Sequence, residues 1–158
     1  MEWLIVDDGS TDNTIAVARQ LKVDHILPLH RHLGLAKAWT FGIQHALQLG
    51  ADYIINFDAD NQYEAQDMVH LLEPLIAHRA DMTIGCRDFE SIPYFSPMKR
   101  RLQRAGSWFV SKLAQCKIMD ATSGYRGYTA SAASLLNVFS RYTYTLETIL
   151  QAGKMELS

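Results

Sequence analysis

The sequence predicts an α/β domain: a mostly parallel sheet with helices on both faces. Three observations predict it. Short apolar runs alternate with helix-period patterns in units of about 30 residues, the sign of strands joined by crossover helices. Three of those runs stop at polar residues: Trp3–Val6 at Asp7-Asp8, Tyr53–Phe57 at Asp58-Ala59-Asp60, and Met82–Cys86 at Arg87. A length of 158 residues suits a single domain over 1–158. A compact chain of that size buries roughly 70% of its unfolded surface, enough for a core.

Each element follows from its own pattern. Trp3-Leu4-Ile5-Val6 is a short apolar run closed by Asp7-Asp8-Gly9-Ser10, a strand meeting a turn. Ser10 or Asp12 is expected to cap the next helix, with Ile15, Ala18 and Leu21 on its inner face. Asp24 to Leu29 reads as a second strand. Leu35, Ala38, Trp39, Gly42, Ile43, Ala46 and Leu47 repeat at helical spacing and predict an amphipathic helix ending near Gly50. Tyr53-Ile54-Ile55-Asn56-Phe57 predicts a buried strand. Met68, Leu71, Leu72, Leu75 and Ile76 predict a further helix, which Pro74 should kink or end early. Met82 to Cys86 reads as another strand, 88–97 as a Pro-containing loop, and Pro97 to Ala114 as a helix. Thr122 to Gly127 reads as a Gly-rich turn, followed by helices near 130–139 and 145–152.

Composition narrows the class. With 48% hydrophobic and 20% charged residues, disordered and collagen-like chains are excluded. No apolar run reaches the roughly 18 residues of a membrane span. No secretory leader is expected at Met1-Glu2-Trp3, which lacks a basic start. Cys86 and Cys116 are too few for a disulfide framework or a four-ligand zinc site, and fit a reducing cytosol. Charge is unevenly spread. Residues 91–119 contain no acid and hold Lys99, Arg100, Arg101, Arg104, Lys112 and Lys117, a balance of +6. The remaining residues carry nine bases and seventeen acids, a balance of −8. An acidic body with one basic patch points to an anionic partner for the patch.

In open sheets ligands sit beyond the carboxyl ends of the strands. Asp58 and Asp60, two apart where a strand turns, can aim both carboxylates at one hard cation, with Gln62 as a third oxygen. Mg2+ or Mn2+ takes such ligands and bridges them to substrate phosphates. For a single Asp, a helix cap or turn residue is an equally good reading. His25, His30 and His32 fit no defined metal spacing and read as surface histidines.

Five stretches together resemble glycosyltransferase family 2: Val6-Asp7-Asp8-Gly9-Ser10-Thr11-Asp12, Leu33-Gly34-Leu35-Ala36, Asp58-Ala59-Asp60 with Gln62, Gly85 with Arg87, and Asp120-Ala121-Thr122-Ser123-Gly124-Tyr125-Arg126. Within that family the nearest likeness is to the dolichyl-phosphate mannosyltransferase-like, polyprenyl-phosphate branch. The resemblance implies a GT-A (Rossmann-like) fold, a nucleotide-sugar donor of the GDP-mannose or UDP-glucose type, a divalent cation, and inversion at the sugar carbon. It implies that Asp7 and Asp8 lie at the base and ribose, and that Asp58, Asp60 and Gln62 hold metal and diphosphate. It further implies that Arg87 and one of Arg100, Arg101 and Arg104 face phosphates; Asp60, Arg87 and Arg101 are the expected catalytic residues. Ser123 and Arg126 are expected in a loop wrapping the diphosphate. The family pattern starts one strand earlier, so the N-terminal strand is expected to be missing, with the C-terminus also shortened.

The acceptor is read from charge. Relatives acting on sugar hydroxyls need a carboxylate base, whose usual Glu-Asp or Gln-Asp pair is absent because Thr148 follows Glu147. Glu147 is left as a ligand of sugar hydroxyls, an orienter of the Arg126 loop, or a first-turn acid favoured by the helix dipole. A lipid phosphate needs no base, only cations to position it. The basic segment supplies them, interleaved with Trp108, Phe109, Val110 and Leu113, a pattern suited to an anionic membrane surface. Leu102, Ala105, Phe109 and Leu113 are expected to face the core while the arginines face phosphate. The expectation is therefore a hexosyltransferase acting on a polyprenyl phosphate, peripheral at the cytoplasmic face of a membrane, with no nucleic-acid partner. A hydroxyl-acceptor relative, a phosphoacceptor signalling domain and a non-catalytic remnant are the rival readings.

Overall fold

The computed structural model describes residues 1–60, 63–87 and 97–158, with only the helical backbone described at Pro97, Lys99 and Arg100. The positions expected to form a loop at 88–96, together with Gln62 and the side chain of Arg100, lie outside the described residues. The chain divides into two compact units. One comprises Met1–Asp52 and Asn137–Tyr144, the other Tyr53–Leu136 and Thr145–Ser158.

In the first unit, β1 (Leu4–Asp7) and β2 (His25–Pro28) pair in parallel, Leu4 opposite His25 and Asp7 opposite Pro28. The helix α1 (Thr14–Gln20) connects them. Its start is marked by Asp12, which accepts the Thr14 backbone N–H at 3.0 Å, while Asn13 at the cap makes no side-chain capping bond. Only Ala18 of α1 is buried; Leu21 lies beyond the helix end and is exposed. The helix α2 (Leu35–Gln48) buries Trp39 and Ile43, two of the positions that its periodicity marks, and also Ala36, which it does not. Trp39 stacks on Tyr144 at 5.0 Å between ring centroids, which ties 137–144 into this unit.

The second unit holds β3 (Tyr53–Asn56), α3 (Met68–Ile76), β4 (Met82–Ile84), α4 (Pro97–Ala114), β5 (Arg126–Thr129), α5 (Ala130–Leu135) and α6 (Thr145–Lys154). Its sheet runs β3-β5-β4, with β5 antiparallel to both neighbours. This corrects the mostly parallel expectation: among the described strands one pairing is parallel and two are antiparallel. It also corrects the Gly-rich turn, because Arg126-Gly127 opens a central strand. A Cβ at Gly127 would stand 2.5 Å from Thr83 Oγ1, 2.8 Å from Leu75 Cδ1 and 2.9 Å from Ile55 Cδ1. Here glycine marks close packing, not a bend.

Helices cover both faces of this sheet. Thr83 donates its hydroxyl to the Leu71 carbonyl of α3 at 3.0 Å. Its neighbours Met82 and Ile84 point the other way and pack on a cluster of Val110, Ala114, Ala121 and Ile149. That cluster joins α4 to α6, which cross so closely that a Cβ at Gly153 would collide with the Ala114 carbonyl. Pro74 stays inside α3, which ends two residues later at Ile76.

The bounds of α4 match the sequence reading, but its orientation does not. Ser107, Val110 and Ala114 are its buried positions, whereas Leu102, Phe109 and Leu113 are exposed. The small residues face inward because α6 leaves no room for large ones at the crossing.

Candidate active site

The topology of the second unit gathers its polar residues at one edge. Asn56, the last residue of β3, and Ile84, the last of β4, both pair with Arg126, the first of β5. The segments after β3 and β4 and the loop before β5 therefore meet. Asn56 Nδ2 closes the junction by donating to the Gly124 carbonyl at 2.9 Å.

Asp58 and Asp60 follow β3. Burial pushes the Asp58 carboxyl above its usual range, and the Asp60 charge pushes it further; Arg87 and Arg126 act in the opposite sense. Two carboxylates in mutual repulsion, with oxygen donors alone, form a donor set suited to a hard divalent cation. Among the described residues no group of three or more His, Cys, Asp and Glu side chains is arranged to hold a metal.

Arg87 follows β4 and is held by a bidentate ion pair. Its Nε donates to Asp120 Oδ2 at 2.8 Å and its Nη2 to Asp120 Oδ1 at 3.1 Å. Nη2 also donates to Thr122 Oγ1 at 2.8 Å. From α4, Gln103 Nε2 donates to the same Thr122 hydroxyl, and Ser107 Oγ accepts the Ala121 N–H at 3.2 Å. Burial alone would raise the Asp120 carboxyl; hydrogen bonds and charge from Arg87, with help from Thr122, outweigh it and hold the group below its usual range. The hydrogen bonds to Asp120 raise the Arg87 guanidinium in turn, so it stays charged at every working pH.

An aromatic brace joins the two loops. The Tyr63 hydroxyl accepts the Gly124 N–H at 3.2 Å, the Tyr63 and Tyr125 rings lie 4.9 Å apart, and Phe57 meets Tyr125 edge-on at 6.0 Å. The Tyr125 hydroxyl donates to the Glu64 carbonyl. Phe57, Tyr63 and Gln103 carry no role in the sequence reading; aromatics on either side of Asp58-x-Asp60 were the available signal.

Two expected ligand residues are structural. Arg126 has 0% exposure and spends its guanidinium on the Ser123 and Thr145 carbonyls, the Thr148 hydroxyl (each at 2.8 Å) and the Ala121 carbonyl at 3.1 Å. It fastens the 121–123 loop to the first turn of α6. Ser123 is equally buried and accepts the Tyr125 N–H at 3.2 Å. Neither can touch a ligand without the core opening. Glu147 sits half-buried in the first turn of α6.

A cleft of about 850 Å³ lies beside α4, lined among others by Arg87, Arg104, Trp108, Lys112, Lys117 and Met119. Of the expected phosphate-facing arginines, Arg87 and Arg104 line it; Arg101 is exposed on the helix and does not. Asp58 and Asp60 are not part of its lining. In the first unit, Asp7 is buried and accepts the Ser10 N–H at 3.2 Å. Asp8 accepts the N–H groups of Leu33 at 2.7 Å and Gly34 at 2.8 Å and pairs with His32 Nδ1 at 2.8 Å. It pins the turn that opens α2.

Comparison with known proteins gives the family. The model of the family described as glycosyl transferase family 2 matches residues 1–135. A UDP-N-acetylglucosamine–dolichyl-phosphate N-acetylglucosaminyltransferase of Methanococcus voltae is 26% identical over 98% of this chain and 70% of its own length. An undecaprenyl-phosphate mannosyltransferase of Micrococcus luteus is 28% identical over 85% of this chain and 57% of its own. A polyprenol monophosphomannose synthase of Mycolicibacterium smegmatis is 32% identical over 79% of this chain, but the match spans only 49% of the relative. With the matched segment carrying Asp7, Asp8, Asp58, Asp60, Arg87 and the Asp120–Arg126 loop, the chain belongs to glycosyltransferase family 2.

Proposed function

We infer that this chain carries the transfer centre of an inverting glycosyltransferase. It moves a hexose from a nucleoside diphosphate sugar, of the GDP-mannose or UDP-glucose type, to a polyprenyl phosphate. The observation that carries the acceptor class is the cleft beside α4: Arg87, Arg104 and Lys112 suit a phosphate, and Trp108 and Met119 suit the hydrocarbon attached to it. The names of the three relatives described above, each a transferase acting on a polyprenyl or dolichyl phosphate, support the same class.

Asp58 and Asp60 would hold a Mg2+ or Mn2+ ion, which when bound supplies positive charge for the departing diphosphate. An oxygen of the acceptor phosphate attacks the anomeric carbon. The bond from that carbon to the diphosphate oxygen breaks, and its electron pair leaves with the nucleoside diphosphate. No proton has to be removed, because the attacking phosphate is already an anion; the absence of a carboxylate base after Glu147 is consistent with this. Arg87, kept cationic and aimed by Asp120, positions the anion, so the protein's contribution is mainly orientation and fixed charge.

The test is transfer of labelled hexose from each donor to polyprenyl phosphate, followed by organic extraction. Extractable label that disappears in Asp60→Ala is the expected result. Label confined to the aqueous phase would point to a hydroxyl acceptor, and turnover retained by Asp60→Ala would overturn the metal role.

A further inference from the structure

We propose that Gln103 is a positioning residue for the transfer step: from α4 it fixes the Thr122 hydroxyl, and through that hydroxyl the orientation of the Arg87 guanidinium. The proposal deepens the acceptor reading and rests on it for the reaction that Arg87 serves. Its evidence is a polar stripe on α4. Gln103, Ser107 and Ser111 are spaced by four residues and so share one face of the helix. Each bonds to the segment 118–122, which runs back along that face. Ser111 Oγ accepts the Ile118 N–H at 2.8 Å, Ser107 Oγ accepts the Ala121 N–H at 3.2 Å, and Gln103 Nε2 donates to Thr122 Oγ1. The first two bonds hold backbone. The third holds a side chain that itself touches Arg87.

The chemistry of the Thr122 hydroxyl gives Gln103 its leverage. A hydroxyl has one hydrogen to donate and two lone pairs to offer. Thr122 Oγ1 accepts from Arg87 Nη2 at 2.8 Å and from Gln103 Nε2, so both lone pairs are taken. Its hydrogen is left for Asp120 Oδ1 at 3.1 Å, which Gln103 Nε2 also approaches at 3.4 Å. Asp120 grips one edge of the guanidinium, through Nε and Nη2. Thr122 adds a second acceptor at Nη2, which resists rotation of the group. Thr122 is exposed, so without Gln103 its hydroxyl is open to competition from water. Arg87 lines the cleft and Gln103 does not, so Gln103 acts on the cation and not on the bound anion. Asp120 supplies the charge that retains Arg87, and Gln103 supplies none. Losing Gln103 therefore costs orientation and leaves the attraction for an anion intact.

The experiment is steady-state transfer of labelled hexose by the full chain to a short, water-soluble polyprenyl phosphate. Gln103→Leu should lower kcat about tenfold, while KM for the polyprenyl phosphate stays within about twofold of wild type. Gln103→Glu keeps the shape of the side chain but loses its N–H donors at neutral pH, and should be at least as slow. Thr122→Val should match Gln103→Leu, and the two changes together should fall no more than about twofold below either, because one residue acts through the other. Wild-type turnover in Gln103→Glu, additive losses in the double variant, or a raised KM with kcat unmoved would overturn the proposal. So would a lowered melting temperature with kcat unmoved, the mark of a purely structural contact. Nitrogen-15 NMR of Arg87 reads its orientation without any reaction. Separate Nη resonances, the sign of arrested rotation, are expected in the wild type and should merge in Gln103→Leu; the same pattern in both proteins would overturn the proposal. A wild type that transfers no hexose to the polyprenyl phosphate, yet shows separate resonances that merge in Gln103→Leu, would count against the acceptor reading and leave the role of Gln103 standing.

Discussion

Asp120→Ala is the perturbation that most directly tests how the site is held. Asp120 is 1% exposed and its partner Arg87 23% exposed, so the pair is largely out of water. The carboxylate accepts two bonds from the Arg87 side chain, a 3.1 Å bond from the Thr122 hydroxyl and a 3.2 Å bond from the Thr122 N–H. Removing one member of a buried pair costs roughly 3–5 kcal/mol, because the other is left charged and poorly solvated. Arg87 keeps some contact with solvent, which places the expected loss at about 3 kcal/mol. Urea denaturation at neutral pH reads it as a lower midpoint with an unchanged slope. The pH dependence supplies a second reading. Asp120 is depressed in the folded state, so its contribution is fully present above the unfolded value of about 3.9 and is lost as pH falls through the folded value. The gap between wild type and variant should therefore close in acid. Replacing both Arg87 and Asp120 with Leu should cost less than Asp120→Ala alone. A variant within about 0.5 kcal/mol of wild type at neutral pH, or a gap that stays constant into acid, would refute the assignment of Asp120 as the charge that holds Arg87.

Other expectations follow from the same contacts. Arg126→Met removes the one side chain that donates to the carbonyls of Ala121, Ser123 and Thr145 together and should cost about 3 kcal/mol or more, read by thermal melting. Gly153→Ala forces α4 and α6 apart and should cost about 1–3 kcal/mol, whereas Gly106→Ala, with open space around it, should be neutral or stabilising. Asp58 titrates above an ordinary carboxyl because of burial and then Asp60, so Asp60→Asn should lower its value; carbon-13 carboxyl titration by NMR measures this, and an unmoved Asp58 would contradict their coupling. A carboxyl raised in the folded state costs stability as pH climbs from the unfolded value through the folded one. Mg2+ or Mn2+ should relieve that cost at neutral pH, raising the melting temperature of the wild type and leaving Asp58→Asn unmoved.

What the sequence made legible divides along local and distant causes. The ends of α4 at Pro97 and Ala114 could be read because proline starts and spacing patterns are local. The direction of α4 could not, because what sets it is Gly153, nearly 40 residues beyond Ala114. The strand at Arg126–Thr129 was hidden for a similar reason. Its Gly127 reads as punctuation, and only the crowding of Ile55, Leu75 and Thr83 around it explains a glycine in a central strand. Asp58, Asp60 and Arg87 were legible as acids and a base closing apolar runs, and the register that joins Asn56 and Ile84 to Arg126 brings their segments to one edge. The burial of Arg126 and Ser123 was not, since a charged residue beside glycines looks like a ligand loop until Thr145 and Thr148 of α6 supply its acceptors.

The antiparallel course of β5 is what makes this site chemically possible. In a parallel sheet the edge beyond β3 and β4 would receive the loop that leaves β5. Reversing β5 delivers instead the loop that enters it, and that loop carries Asp120 and Thr122 to Arg87, and Gly124 to Asn56 and Tyr63. Two arginines then share one end of the sheet under different constraints. Arg126 is fully enclosed and spends four bonds on carbonyls and a hydroxyl, so it ties the loop to α6. Arg87 is gripped from one side by a carboxylate and opens on the other to the cleft beside α4. A cation fixed on one side and facing a basic, partly apolar cleft on the other is oriented before any anion arrives. Orientation of that kind is the contribution a protein can make to a reaction whose nucleophile already carries its charge.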